Sequence, residues 1–163
     1  METTKKYELT DEVIEVGDVE LRRIRAVRNF GDVKAGDLGG FVQSEMNLSH
    51  EGLAWISDDA CVYGNARVYG DTWVYGDAEV YDGAGIQSND DLCTFGHFGS
   101  ENRHTTAYRA KDGGIAVRCG CFCGTLEQFR ERVKKTHGTG DYATEYLMIA
   151  DLIEHKLSKR GKA

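Results

Sequence analysis

The feature that most constrains this chain is a six-residue spacing of aliphatic residues over residues 56–92. Small residues stand four positions after most of these aliphatics, and a glycine followed by Asn or Asp separates many of the units, as in Gly70-Asp71. A period of six matches neither an α-helix nor a simple alternating strand. It is typical of repeat folds in which each unit supplies one short strand and one corner. The aliphatic positions are Ile56, Val62, Val68, Val74, Val80, Ile86 and Leu92.

Strand alternation within one unit predicts which side chains point inward. In the unit Ala66-Arg67-Val68-Tyr69, Ala66 and Val68 are expected inside, and Arg67 and Tyr69 outside. Three units complete a triangular coil of 18 residues, and neighbouring coils stack about 4.8 Å apart. The repeat is therefore expected to be about two coils long, with residues before and after it covering its ends.

The same geometry distributes the tyrosines of the repeat over three sides. Tyr63 and Tyr81 are 18 residues apart and are predicted to stack on one side. Tyr69 and Tyr75 belong to the other two sides. The tyrosines therefore do not form one continuous ladder.

The residues that follow the repeat predict a hairpin and two helices. A strand is expected over residues 105–110, a turn at residues 111–114, and a return strand over residues 115–123. Thr125 and Gln128 have the spacing of a capping box for a helix that ends at Gly138. A second amphipathic helix is expected from about Tyr142 to Lys159.

Composition limits the classes of partner and the compartment. The chain has 27 Asp and Glu against 20 Lys and Arg, a net charge of −7, which argues against nucleic acid and anionic membranes as partners. No apolar run reaches 18 residues, so no membrane helix is expected. No secretion signal is evident, and five cysteines, an odd number, indicate free thiols in a reducing cytoplasm.

The hexads resemble those of hexapeptide-repeat proteins, and the wider pattern is similar to small proteins encoded in phage and prophage genomes. That family has no settled activity. The resemblance implies a fold and a genomic setting: a short left-handed parallel β-helix in a host cell. The matching segments are residues 5–10, 30–33 and 36–40, the Val-Tyr-Gly-Asn-Ala-Arg repeat, and residues 119–122 followed by residues 124–127.

The predicted fold is therefore mainly β and has three parts. Residues 1–45 form a β-rich N-terminal cap, residues 46–93 form the hexapeptide-repeat β-helix, and residues 94–163 form a β-hairpin followed by two α-helices.

The function predicted for this chain is non-enzymatic binding of a host protein in the host cytoplasm. Inhibition of a host defence system, as by an anti-CRISPR protein, is one concrete version of that function. Self-association through the repeat or the last helix is also predicted, and no cofactor is expected. Large aromatic side chains on the repeat are the candidate contacts, because aromatic residues dominate binding hot spots. They are Trp55, Tyr63, Tyr69, Trp73, Tyr75 and Tyr81.

The alternative function is that of a hexapeptide-repeat acyltransferase using acyl-coenzyme A. The resemblance implies that such an enzyme would use a loop histidine as general base, and the candidates are His50, His97 and His104. Glu101 is a nearby carboxylate that could orient the imidazole. Two coils would give only a shallow groove for coenzyme A, so the binding function is preferred.

A metal site is a further alternative for the cysteines near the C-terminal helices. Cys119, Cys121 and Cys123 alternate, so their thiols would share one face of a straight strand. Three thiolates and one imidazole would suit zinc. However, such a strand would spread the thiols over about 13 Å, too far for one ion, so packing beneath the helices is the preferred interpretation.

Overall fold

The computed structural model describes residues 4–81 and 84–159 of the 163-residue chain. The protein is mainly β, with two α-helices at its C-terminal end. It divides into two compact units, Met1–Asn89 and Asp90–Ala163. The first unit holds the predicted cap and nearly all of the hexads. Among the described residues, no helix combines the length and apolar character that crossing a bilayer requires.

The first unit begins with a β-hairpin. Strands β1 (Tyr7–Val16) and β2 (Val19–Ala26) pair antiparallel around a turn at Gly17, where φ is 61°. A glycine suits this turn because a positive φ is costly for side chains with a Cβ. Strand β3 (Leu38–Val42) pairs antiparallel with β2 and parallel with the hexads, and so joins the hairpin to the repeat.

Each hexad contributes one strand of two residues. Every third strand pairs in parallel, with partners 18 residues apart, as in Ile56 with Val74 and Val62 with Val80. This register confirms the spacing predicted from the sequence. The strands are β4 (Trp55–Ile56), β5 (Cys61–Val62), β6 (Arg67–Val68), β7 (Trp73–Val74), β8 (Glu79–Val80) and β9 (Gly85–Ile86).

The aliphatic and small residues of the hexads form the buried interior of the repeat, as predicted. Their side chains are between 0% and 1% exposed. Thr72 occupies one of the small positions and is also fully buried. The inward aliphatics are Ile56, Val62, Val68, Val74, Val80 and Ile86, and the small residues are Ala60, Ala66, Thr72, Ala78 and Ala84.

The sheets as a whole do not form the predicted left-handed β-helix, and the fold is not a solenoid. A solenoid depends on many stacked repeats, each contacting only its neighbours. Among the described residues, the parallel ladders are two residues wide, and two of them consist of two strands each, β4 with β7 and β6 with β9. The third continues into the antiparallel strands, in the order β1-β2-β3-β5-β8. Antiparallel pairing therefore dominates the β-structure.

The second unit is a four-stranded antiparallel sheet packed with two helices. Its strands follow in chain order: β10 (Leu92–Phe98), β11 (Arg103–Arg109), β12 (Ile115–Cys119) and β13 (Phe122–Thr125). Helices α1 (Leu126–His137) and α2 (Asp141–Lys159) follow. The predicted hairpin and both helices are confirmed. The return strand, however, ends at Cys119, because the chain turns at Gly120, where φ is 57°.

The helices are held by a cap and by an apolar stripe, as the sequence predicts. The Thr125 hydroxyl accepts a hydrogen bond from the Gln128 N–H at 3.1 Å, and the Gln128 side chain accepts one from the Thr125 N–H at 2.9 Å. Phe129, Tyr146 and Ile153 are buried in the core of this unit, together with residues of β11 and β12. The cap satisfies backbone donors that would otherwise lack partners at the helix start.

Candidate functional site

The aromatic residues predicted as contacts occupy three different environments. Trp55 is 2% exposed, with ring centroids of Phe30 at 5.3 Å and Tyr7 at 6.5 Å. Trp55, predicted as a contact residue, therefore lies in the core, because the chain before the repeat covers it.

Tyr63 and Tyr81 stack as predicted, but their side of the repeat is covered. Their ring centroids are 5.1 Å apart and their planes differ by 10°. Tyr63 is 6% exposed, and it packs in a cluster with Leu21 and Phe41, against which Tyr81 also lies. The β1–β2 hairpin supplies the cover, since Ile14, Val16 and Val19 belong to the same cluster. Tyr63 is therefore a core residue rather than a contact, and Tyr81 is only partly accessible.

Two tyrosines on the other two sides of the repeat remain accessible. Tyr69 is 38% exposed and Tyr75 is 54% exposed, while Trp73 is half-buried. Strand alternation points these tyrosines outward, and neither belongs to the cluster beneath the hairpin. Tyr69 and Tyr75 are thus the predicted contacts that the fold leaves most available.

Tyr69 borders a groove, which we call the hexad groove. Its volume is about 410 Å³, and it is lined by Met46, Ser49, Arg67, Val68 and Tyr69. Val68 borders the groove, but its side chain is fully buried in the interior of the repeat, whereas Met46 is 63% exposed at the rim. The groove therefore presents an aromatic ring, a thioether and a guanidinium.

The wall of the hexad groove that carries Met46 is fixed to the repeat by a buried asparagine. Met46 lies in a single 3-10 turn, Glu45–Asn47, capped by Ser44. The Asn47 side chain is fully buried and donates to the carbonyls of Ala66 at 2.9 Å and Gly64 at 3.1 Å. These hydrogen bonds hold the turn against the corner before β6. No periodic pattern marks Met46, so the sequence alone did not identify it.

Backbone pairing on both sides of β6 holds the strand beside the groove in place. Leu48 forms a parallel bridge with Val68, and the Ser49 N–H donates to the Val68 carbonyl at 2.9 Å. On its other side, β6 pairs with β9 through Arg67 with Gly85 and Val68 with Ile86. Because β6 is paired on both sides, the groove offers side chains to a partner and no unpaired strand edge.

The segment that contains the hexad groove is acidic in sequence, although the charged residue that lines the groove is Arg67. Residues 46–89 contain seven Asp and Glu residues, and Arg67 is their only Lys or Arg. Asp71 and Asp77 follow corner glycines and lie exposed on the outside of the repeat. Asp58 accepts a hydrogen bond from the Gly76 N–H at 3.0 Å, so part of this charge also supports the corners.

The three candidate histidines lie in two units. His50 belongs to the first unit, where its ring stacks on Tyr7 at 4.2 Å and its Nδ1 accepts from the Lys6 N–H at 3.2 Å. Burial lowers the pKa of His50, an effect that Glu45 opposes. His97 and His104 belong to the second unit, with ring centroids 5.1 Å apart and planes at 82°.

The three cysteines of the predicted metal alternative do not share one strand face. Cys119 ends β12, Cys121 lies in the turn after Gly120, and Cys123 lies in β13 opposite Arg118. Cys119 is buried, whereas Cys121 and Cys123 are exposed. In the described part of the chain, the three sulfurs are not close enough together to surround one ion.

Comparison with known proteins finds no matching family model and no matching curated sequence.

Proposed function

We propose that this protein is a non-enzymatic accessory protein of phage type that binds a host protein through the hexad groove. The observation that carries the proposal is the groove itself, which brings Tyr69, Met46 and Arg67 together on the surface of the repeat. Tyr, Met and Arg are enriched in the cores of protein interfaces, and a few such residues supply most of the binding free energy.

The side chains of the hexad groove suit a macromolecular partner. A tyrosine brings a large contact area at a small entropy cost, and a methionine adapts its shape to irregular surfaces. The corners of the repeat hold the backbone of the groove in place, so little order has to be gained on binding. A preorganised surface of this kind loses less free energy to conformational ordering.

The net negative charge of residues 46–89, rather than that of the groove lining, favours a partner with a basic surface. Seven acidic residues against one basic residue over residues 46–89 would attract such a surface and accelerate association. The same charge opposes nucleic acid, whose phosphates are negative. The proposed location is the host cytoplasm, and the proposed consequence is inhibition of a host defence system, as by an anti-CRISPR protein. Self-association remains part of the proposal.

A second candidate function, that of an acyltransferase, depends on one observation in the second unit. His97 and His104 lie side by side, so one imidazole could act as a general base while the other orients it. An enzyme of this kind would bind coenzyme A, and the His97→Ala or His104→Ala variant would abolish turnover. A binding protein keeps its effect in both variants.

The proposal is tested by quantitative capture from host lysate. Tagged wild-type protein, Tyr69→Ala and Leu38→Ala are compared by isotope-labelled mass spectrometry. Leu38 is a matched control, since it is 57% exposed in the same unit but does not line the groove. We expect a host protein with a basic surface that wild type and Leu38→Ala retain and that Tyr69→Ala loses by about tenfold or more. Equal capture by all three proteins would refute the groove as the binding face.

A further inference from the structure

The second unit contains a cleft that the binding function does not use. Its volume is about 210 Å³, and we call it the thiol cleft because two cysteines line it. Phe122, Phe129 and Val133 supply its apolar wall. Its polar lining includes Cys119, Cys121, Arg103, Arg132, His137 and Tyr146.

Arg103 lies directly against the turn that joins the two cysteines. Gly120 has a φ of 57°, and a Cβ at that position would overlap the Arg103 guanidinium. Only glycine therefore fits the turn while Arg103 keeps its position. Hydrogen bonds from the guanidinium to Glu101 and to Cys121 raise the pKa of Arg103. The Arg103 guanidinium thus lies beside Cys121 in the lining of the cleft.

The two thiols of the cleft differ in accessibility. Cys119 is 9% exposed, and its sulfur accepts a hydrogen bond from the Thr105 hydroxyl at 3.3 Å. Cys121 is exposed at the mouth of the cleft. A reagent that enters the cleft therefore reaches Cys121 first, because Cys119 is packed in the floor of the cleft.

The mouth of the thiol cleft is cationic. Arg132 lies 5.8 Å from the centroid of the Phe122 ring, and the His137 ring stacks on Tyr146 at 5.5 Å. Glu101 is the acidic residue of the lining, and it is ion-paired with Arg103. One guanidinium therefore remains in excess, which favours an anionic reagent over a neutral one of the same size.

We propose that Cys121 is a thiol-modification site selective for small anionic, thiol-reactive compounds, with anionic disulfides as the natural class. In the reaction, the Cys121 thiolate attacks one sulfur of the disulfide. A new S–S bond forms to Cys121 and the S–S bond of the reagent breaks. The leaving thiolate carries away the electron pair and takes up the proton that Cys121 released. This site goes beyond host-protein binding and does not depend on it.

The chain offers a matched control for this proposal. Cys123 is also exposed, lies two residues further along the same hairpin, and does not line the cleft. Alkylation rates of both cysteines are measured by peptide mass spectrometry with iodoacetate, which is anionic, and iodoacetamide, which is neutral. We expect the ratio of the iodoacetate rate to the iodoacetamide rate to be about tenfold higher at Cys121 than at Cys123.

Three further measurements test the role of charge and the order of modification. The Arg103→Met variant, with its fold checked by circular dichroism, is expected to reduce the rate ratio at Cys121 to that at Cys123. If this variant unfolds, raising the salt concentration on the wild-type protein is expected to reduce the ratio in the same direction. Glutathione disulfide is expected to add one glutathione at Cys121 before Cys123. Equal rate ratios at the two cysteines, a ratio unaffected by both the variant and salt, or first addition at Cys123 would overturn the proposal.

Discussion

The two units of this protein carry net charges of opposite sign, and their concave sites have different linings. Residues 1–89 contain eight basic and 17 acidic side chains, a net charge of −9, whereas residues 90–163 contain 12 basic and 10 acidic ones, a net charge of +2. The acidic unit carries an open groove with an exposed tyrosine and methionine. The other carries a smaller cleft with two thiols and two guanidinium groups. This difference is the reason that we propose a macromolecular partner for one unit and a small anionic ligand for the other.

The cores of the two units are also built differently. In the hexads, single residues from successive two-residue strands make up a column of aliphatic and small side chains. In the second unit, one face of a conventional sheet packs against amphipathic helices. The core of the hexads depends on the tight corners between its short strands. The core of the second unit depends on the apolar faces of its helices. Three predictions test this contrast, from the largest expected effect to the smallest.

The largest effect is expected from truncating the main aromatic residue of each core. Trp55→Ala in the first unit and Phe129→Ala in the second should each lower the free energy of unfolding by about 3–5 kcal/mol, since both side chains are almost fully buried. Amide hydrogen exchange within the unit that carries each substitution measures the loss. If Trp55→Ala left the stability of the first unit unchanged, Trp55 would be a surface residue after all.

A smaller effect is expected at the corners, and it separates the two units. Gly70 has a φ of 72°, and a Cβ there would approach the Gln87 carbonyl oxygen to 2.5 Å. Gly113 has a φ of 88°, with nothing within 4 Å of that position. Gly70→Ala should therefore cost about 2–3 kcal/mol and Gly113→Ala about 1 kcal/mol, as measured by denaturant unfolding. Equal costs would mean that the corners of the repeat are no tighter than an open hairpin turn.

The smallest effect is a difference in alkaline pH dependence. Lys6 is fully buried in the first unit, where its Nζ donates to the Ala54 carbonyl at 2.6 Å, and burial lowers its pKa from 10.5 to about 8. Above about pH 8, Lys6 loses its ammonium proton in the folded state, whereas it keeps this proton in the unfolded chain. The first unit should therefore gain about 2 kcal/mol of stability between about pH 8 and pH 10. Lys6→Met should abolish the gain.

The second unit should respond to alkaline pH in the opposite direction. Burial raises the pKa of Cys93 from 9.0 to about 11 and is the main reason that the pKa of Tyr146 rises from 10.0 to about 12. The unfolded chain then loses these protons first, so stability falls as pH rises above about 9. Hydrogen exchange at several pH values reports both units at once. A parallel response of the two units would contradict the assigned burial of Lys6 or of Cys93.

Burial also raises the pKa of Tyr7 in the first unit. This rise opposes the gain in stability of that unit above about pH 10.

Local patterns in the sequence were sufficient for much of the fold. The six-residue period placed the aliphatic residues inside and fixed the 18-residue register, and the spacing of Thr125 and Gln128 located the start of α1. Each of these inferences needs only residues within one turn or one coil. The extent of the repeat was less well predicted, because periodicity does not tell how far antiparallel strands extend the same sheet.

The candidate site was harder to predict, because it depends on contacts between distant segments. Trp55 and Tyr63 belong to residue types that are common in binding contacts, but residues before the repeat cover them. Met46 lies outside the hexads, so only the fold places it beside Tyr69. The alternating cysteines predicted one straight strand, whereas a single positive φ at Gly120 divides that segment into a hairpin.

The affinity of the captured host protein for groove variants tests the central claim most directly. The comparison uses isothermal titration of the full chain carrying Tyr69→Ala in the first unit or Met148→Ala in the second. Met148 is a rival contact, since it is 63% exposed on α2 near the exposed Leu152. We predict that Tyr69→Ala weakens binding by about 10- to 100-fold and that Met148→Ala leaves it unchanged. The reverse result would place the binding face on the helical unit and contradict the assignment of the hexad groove.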